Sequence, residues 1–184
     1  MRIIAGNARG RIIKMPNGTK TRPTQDRVRE SIFNIIREIV PGARVLDLYA
    51  GSGAFGIEAL SRGASFAAFV DNNQECARTI RANLQVVGED KGLSSVIRMD
   101  TSLAVSLLKK KKELFDIVFL DPPYHKGLAK NCLIKLSPCD ILSEHSFIIV
   151  EHFKKDVLPA DIGDIARFRE SSHGDTIVSF YKKT

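Results

Sequence analysis

Cysteine is scarce. The chain has three, Cys76, Cys132 and Cys139, an odd number with no CxxC spacing. That count argues against a disulfide framework or a cysteine-built zinc site and predicts free thiols, buried or half-buried. His125, His145, His152 and His173 are scattered without metal-ligand spacing, so no metal is expected. No stretch approaches the ~18 consecutive apolar residues of a spanning helix. The opening Met1-Arg2-Ile3-Ile4-Ala5-Gly6-Asn7 lacks the apolar segment of a secretory signal, which predicts a cytoplasmic location and no membrane partner. Internal repeats are absent, and the single low-complexity run, Lys109 to Lys112, reads as a solvated helix end.

What remains is an ordinary globular chain with an uneven charge. Its 184 residues, 43% of them hydrophobic, suit one domain with a small extension. The net charge is +7, and residues 1–44 hold all of the excess, with ten Lys/Arg against three Asp/Glu. Residues 45–184 hold eighteen of each. A neutral body with a basic end is the electrostatic footprint of a polyanion-binding arm. The chain is therefore expected to divide into a basic arm over 1–23 and a main domain over 24–184, and a monomer is expected.

The pattern of apolar residues predicts the fold. Arg-Ile-Ile-Ala at 2–5 and Arg-Ile-Ile-Lys at 11–14 flank a glycine-bearing loop and read as a hairpin. Thr24 is placed to cap a helix whose apolar positions are Val28, Ile32, Ile35, Ile36 and Ile39, ended by Pro41-Gly42; Arg22, Arg27 and Arg29 lie off that stripe. From Arg44 onward, strands at 44–48, 65–70, 95–99, 115–120 and 146–151 alternate with helices at 54–62, 73–87, 102–112 and 127–136. Such alternation implies parallel βαβ units in a doubly wound α/β sheet. Two β-prone runs, 165–171 and 176–181, close the chain as an antiparallel hairpin.

Two motifs carry chemistry. In Asp47-Leu48-Tyr49-Ala50-Gly51-Ser52-Gly53-Ala54-Phe55-Gly56, glycines follow a strand and open a helix, which lets backbone N–H groups approach a ligand. Asp47 would repel a pyrophosphate but suits the α-ammonium of S-adenosylmethionine. Asp71 ends the second strand, where a carboxylate can accept both ribose hydroxyls, and Asp100 ends the third, where it can meet the adenine amino group. Ligands of open α/β sheets lie outside the carboxyl ends of the strands. Asp47, Asp71, Asp100 and Asp121 each fall at or near such an end.

The second motif is Asp121-Pro122-Pro123-Tyr124, a rigid ledge after the apolar run 115–120. A purine amino group is a poor nucleophile because its lone pair is delocalised into the ring. Asp121 can accept one of its N–H groups, the Pro122 carbonyl the other, and Tyr124 can stack on the base, worth roughly 1–3 kcal/mol. Two successive prolines fix φ and lower the ordering cost of the turn.

Taken with Arg2-Ile3-Ile4-Ala5-Gly6, Arg9-Gly10-Arg11 and Arg22-Pro23-Thr24-Gln25-Asp26-Arg27-Val28-Arg29-Glu30, ending in Phe33-Asn34, these motifs resemble the RsmD-type 16S ribosomal RNA guanine-N2 methyltransferases over nearly the whole chain. The resemblance implies a seven-stranded, Rossmann-like class I methyltransferase fold and S-adenosylmethionine as methyl donor. It implies methylation of guanine 966 at N2 on an assembling small (30S) subunit, with ribosomal proteins as part of the substrate. Arg2, Arg9, Arg11, Lys14, Lys20 and Arg22 would then grip RNA phosphates. Two positions depart from the pattern: Asp71 where Glu is common, and Tyr124 where Phe is common. The rival readings are an adenine-N6 methyltransferase and a catalytically silent RNA-binding assembly factor. A protein-glutamine methyltransferase and a nicotinamide enzyme stand further off.

Overall fold

The computed structural model describes residues 1–16, 23–88, 92–124 and 127–184. Its elements follow the order α1 (Pro23–Ile35), β1 (Arg44–Leu48), α2 (Ala54–Ser61), β2 (Phe66–Asp71), α3 (Gln74–Val86), β3 (Ser94–Arg98) and α4 (Thr101–Lys110), then β4 (Phe115–Leu120), α5 (Leu128–Leu136), β5 (Leu142–Phe153), β6 (Asp161–Ile162), β7 (Ile165–His173) and β8 (Thr176–Lys183). The sheet order is β3-β2-β1-β4-β5-β8-β7-β6. Strands β1 to β5 run parallel, and β6 to β8 add on antiparallel. The interior strands β1, β2 and β4 are apolar and buried on both faces, as a parallel sheet covered by helices requires. One apolar cluster packs α1, α2 and α3 on one face, and a second packs α4 and α5 on the other. Strand order reverses between β1 and β4, and a ligand site is expected at that switch point.

The α/β class, the parallel core and the closing antiparallel hairpin agree with the sequence reading; four details differ. Among the described residues the sheet has eight strands because β6, only two residues long, extends the edge and is too short to show a periodicity. Strand β5 starts at Leu142, since its register against β4 shifts between Phe115 and Ile117, and His145 takes φ +64° in that irregular stretch. Helix α1 starts at Pro23, where proline suits the first helical turn, and stops at Ile35. Beyond it the chain passes through turns, with Ile39 N–H bonded to the Ile36 carbonyl and Ala43 N–H to the Val40 carbonyl across Pro41-Gly42, and Ile36 and Val40 remain buried. Finally Arg29, placed off the apolar stripe, is 1% exposed. Its guanidinium donates to the Arg2 carbonyl (2.7 Å) and to Met1 Sδ, and it pairs with Asp26 (3.2 Å) and Glu58 (3.9 Å).

The predicted hairpin exists as a short antiparallel pairing of Arg2 with Ile12, and it lies against the body rather than projecting from it. Ile3, Ala8 and Ile13 join the same apolar cluster as α1 to α3. The amides of Ile4 and Ala5 donate to the buried Glu58 of α2 at 2.8 and 3.0 Å. Asn7 N–H reaches the Ser61 carbonyl at 2.8 Å, and Ser61 Oγ bridges Ala8 N–H and the Ala5 carbonyl. The buried Asn83 of α3 pairs both backbone groups of Lys14 and also donates to the Ser52 carbonyl. The boundary near residue 23 thus separates regions of different charge that share one core. The three cysteines are free thiols, and no helix among the described residues is long and apolar enough to cross a membrane.

Candidate active site

The glycine turn is built from the strand end upward. Tyr49 takes φ +62°, an uncommon value for a residue with a side chain and one that concentrates at functional sites. Gly51 follows at φ +54°, and a Cβ there would meet nothing closer than 4.0 Å, so open space lies over it. Gly53 and Gly56 serve packing instead. Gly53 is left-handed, with Ile80, Phe69 and Ile57 3.2–3.3 Å from its Cβ position, and Gly56 would place a Cβ 2.3 Å from Phe69. Of the two glycines expected at the cofactor, Gly51 borders free space and Gly53 holds α2 against the sheet.

The acids at the strand ends divide their labour. Asp47 is 1% exposed and accepts the Gly56 N–H at 3.0 Å. Burial pushes its pKa up to about 8, opposed by that hydrogen bond and reinforced by the charge of Asp71. A carboxyl so enclosed secures the loop through that bond. Asp71 accepts Gly51 N–H at 2.9 Å through one oxygen and Asn73 N–H at 2.8 Å through the other, tying the turn to β2. Each of its oxygens keeps a lone pair for a ligand hydroxyl. Asp100 is exposed and caps α4 by accepting Ser102 N–H at 2.8 Å.

The ledge leaves β4 beside the turn. Among the described residues nothing hydrogen-bonds to the Asp121 carboxylate or to the Pro122 carbonyl. Burial raises the Asp121 pKa well above the usual carboxylate range, with Glu151 and then Asp47 adding to it. Pro123 is exposed. Tyr124 donates its hydroxyl to Glu151 Oε1 at 2.9 Å, and Thr176 Oγ1 lies 2.9 Å from the Tyr124 hydroxyl oxygen. Its ring sits 6.1 Å from that of Phe153, tilted by 37°. The polar role of Tyr124, unassigned from sequence, is therefore a link to the antiparallel hairpin.

Glu151 was not anticipated. The signal was visible: it follows Phe147-Ile148-Ile149-Val150 just as Asp121 follows its own apolar run. Leu120 pairs with Val150 in the parallel register, so Asp121 and Glu151 are neighbours one step on. Leu48 pairs with Leu120 and Asp47 with Phe119, which puts Asp47 on the same face as both. Glu151 is 9% exposed, and burial raises its pKa.

The basic arm brings some of its expected residues together. Arg2 and Arg9, with Arg27 from α1, line an open cavity of about 440 Å³ that also receives Asp26 and Glu30. Arg11 lies elsewhere, donating to the Val86 carbonyl at the end of α3 (2.7 Å), and the Lys14 side chain is exposed. Lys20 and Arg22 fall outside the described residues.

Comparison with known proteins bears on these features. The family described as "Conserved hypothetical protein 95" matches residues 1–182. YlbH of Bacillus subtilis is 42% identical over 183 residues, covering 100% of this chain and 99% of its own. Ribosomal RNA small subunit methyltransferase D of Escherichia coli is 33% identical over 183 residues, covering 100% and 90%. The solved structure of Escherichia coli yhhF superposes with a TM-score of 0.84 at 33% identity, covering 100% of this chain and 97% of the other. The chain belongs to this family and is an RsmD-type methyltransferase by sequence and fold.

Proposed function

We infer that this chain methylates the exocyclic N2 of a guanine in small-subunit (16S) ribosomal RNA, using S-adenosylmethionine. The relative from Escherichia coli carries the name of a small-subunit rRNA methyltransferase, which supports the substrate class. The observation that carries the chemistry is a pair of acceptors without a hydrogen-bond donor among the described residues, the Asp121 carboxylate and the Pro122 carbonyl, at the mouth of β4 beside an open glycine turn. Guanine 966 on an assembling subunit is the nucleotide the family pattern favours.

The residues present fit the donor. Gly51 leaves room, Asp71 retains lone pairs for ribose hydroxyls, and Asp100 keeps one oxygen outside its cap. When bound, S-adenosylmethionine would supply an electrophilic methyl group on a sulfonium, with its thioether as the leaving group. Asp121 and Pro122 take the two N–H groups of the target amine and turn its lone pair outward for attack. Once methylated, the nitrogen would lose its surplus proton to Asp121 or water. Alignment and preorganised acceptors supply the rate, so no strong base is needed. The arm's arginines hold phosphates, which orients RNA without reading its sequence.

The deciding experiment incubates the protein with labelled cofactor and small subunits from cells lacking it. The digested nucleosides are identified by mass spectrometry, and the modified position is mapped. N2-methylguanosine at one position is the expected product. N6-methyladenosine would support the adenine reading, and cofactor binding without turnover the silent one.

A further inference from the structure

We propose that Glu151 is the guanine-selecting residue of the site, accepting the N1–H of the target base while Asp121 accepts from its N2. The proposal rests on the guanine-N2 reading above and gives it a source of base selectivity. Three geometric observations support it. The β4–β5 register sets Asp121 and Glu151 side by side on one face, with strands about 4.8 Å apart. Glu151 Oε1 is held by the Tyr124 hydroxyl at 2.9 Å, and Thr176 lies against that hydroxyl at 2.9 Å, so the carboxylate is fixed rather than swinging. Its Oε2 has no hydrogen-bond partner among the described residues.

Base chemistry supplies the rest. Guanine presents N1–H and N2–H as adjacent donors, which two adjacent acceptors match. Adenine presents its amine beside N1, an acceptor, and an ionised carboxylate has nothing to give it. A buried acceptor left facing another acceptor penalises the wrong base, the strongest form of discrimination a polar pocket offers. The charged and titratable groups around Glu151 are Asp121 after β4, Asp47 on β1, Tyr124 in the ledge and the Lys154–Asp175 pair beyond the strand end. Its neighbour His152 points to the opposite face, toward Ser179, which Glu170 also contacts.

The test uses the full chain, Glu151→Gln and Glu151→Ala on small subunits reconstituted with guanine or 1-methylguanine at the mapped position. Cofactor affinity and thermal midpoint are measured alongside. Wild type should methylate the 1-methylguanine subunit roughly 10–100-fold more slowly than the guanine subunit, the range of one good base contact. Glu151→Ala should treat the two alike. Glu151→Gln should move the acid limb of kcat/KM to lower pH, because a neutral neighbour no longer holds the proton on Asp121. If Glu151→Ala does not fold, Glu151→Gln carries the test, with its discrimination falling at least about fivefold below wild type. A merely structural Glu151 would change the thermal midpoint and leave both the limb and the discrimination in place, and that result overturns the proposal. So would equal rates of wild type on both bases. N6-methyladenosine as product would instead remove the guanine reading beneath it.

Discussion

Gly6→Ala should lift the basic arm from the body while leaving the cofactor loop intact. Gly6 sits at φ +82°, and a Cβ there would lie 1.7 Å from the Ser61 carbonyl oxygen and 2.2 Å from its carbon. Both are backbone atoms, so no side chain can swing aside. Left-handed backbone costs a non-glycine residue roughly 1–2 kcal/mol. Separation of the arm also breaks the hydrogen bonds of Asn7 N–H and Ala8 N–H to Ser61 and of Ser61 Oγ to Ala5. At roughly 1 kcal/mol net each, the total against docking is about 4–5 kcal/mol. That converts to about a thousandfold rise in local opening. Hydrogen exchange should report it at the Ile4, Ala5, Asn7 and Ala8 amides, whose acceptors lie on α2, with β1 and β4 unaffected. Gly10→Ala is the matched control, since Gly10 has φ +84° but nothing within 4 Å of its Cβ position. It should show the backbone cost alone. Equal protection in Gly6→Ala and wild type would refute the close approach of the arm to α2.

Asp121→Ala should lower methyl transfer by at least about 10²-fold while cofactor affinity holds, as for the loss of a preorganised acceptor; unchanged turnover removes Asp121 from the mechanism. For Asp47 the sign is fixed by its raised pKa, from 3.8 to about 8. The native state holds a proton that the unfolded chain releases, so this stability is complete below about pH 4 and is lost as pH rises toward 8. Relative to wild type, Asp47→Asn should therefore gain about 2–3 kcal/mol between pH 5 and pH 7 in denaturant titrations. A constant difference across that window would mean that Asp47 titrates normally. Replacing Arg9 and Arg11 together by Ala should weaken RNA binding and reduce the slope of log K against log salt by about 1.5. An unaltered slope would place the RNA grip elsewhere.

Most of the fold was legible because burial leaves a local trace. The runs Arg44–Leu48 and Phe115–Leu120 read as strands since both faces of each are covered. Asp47 near the end of the first run and Asp121 just after the second mark the carboxyl ends, where ligands of open α/β sheets lie. What escaped depends on partners distant in sequence. Arg29 looks like a surface residue until Arg2, Asp26 and Glu58 gather around it. Helical spacing persists through Ile39, yet those side chains are buried from turns as well as they would be from a helix. Glu151 becomes part of the site only when the register of β5 against β4 is known. Asp47 and Asp100 lie near the strand ends that the sequence indicates, and their hydrogen bonds to Gly56 and Ser102, which depend on the folded loop and helix start, give each a structural task.

Helix α2 begins at the residue after Gly53 and ends at Ser61, the anchor of the arm. Eight residues of α-helix measure about 12 Å. The span from the glycine turn to the Ser61 anchor of the arm is thus set by a rigid gauge whose two ends are both pinned by backbone. Chain length can drift in the loops beyond it without altering that span. One residue added within it would rotate the arm's anchor by about 100° relative to the glycine turn.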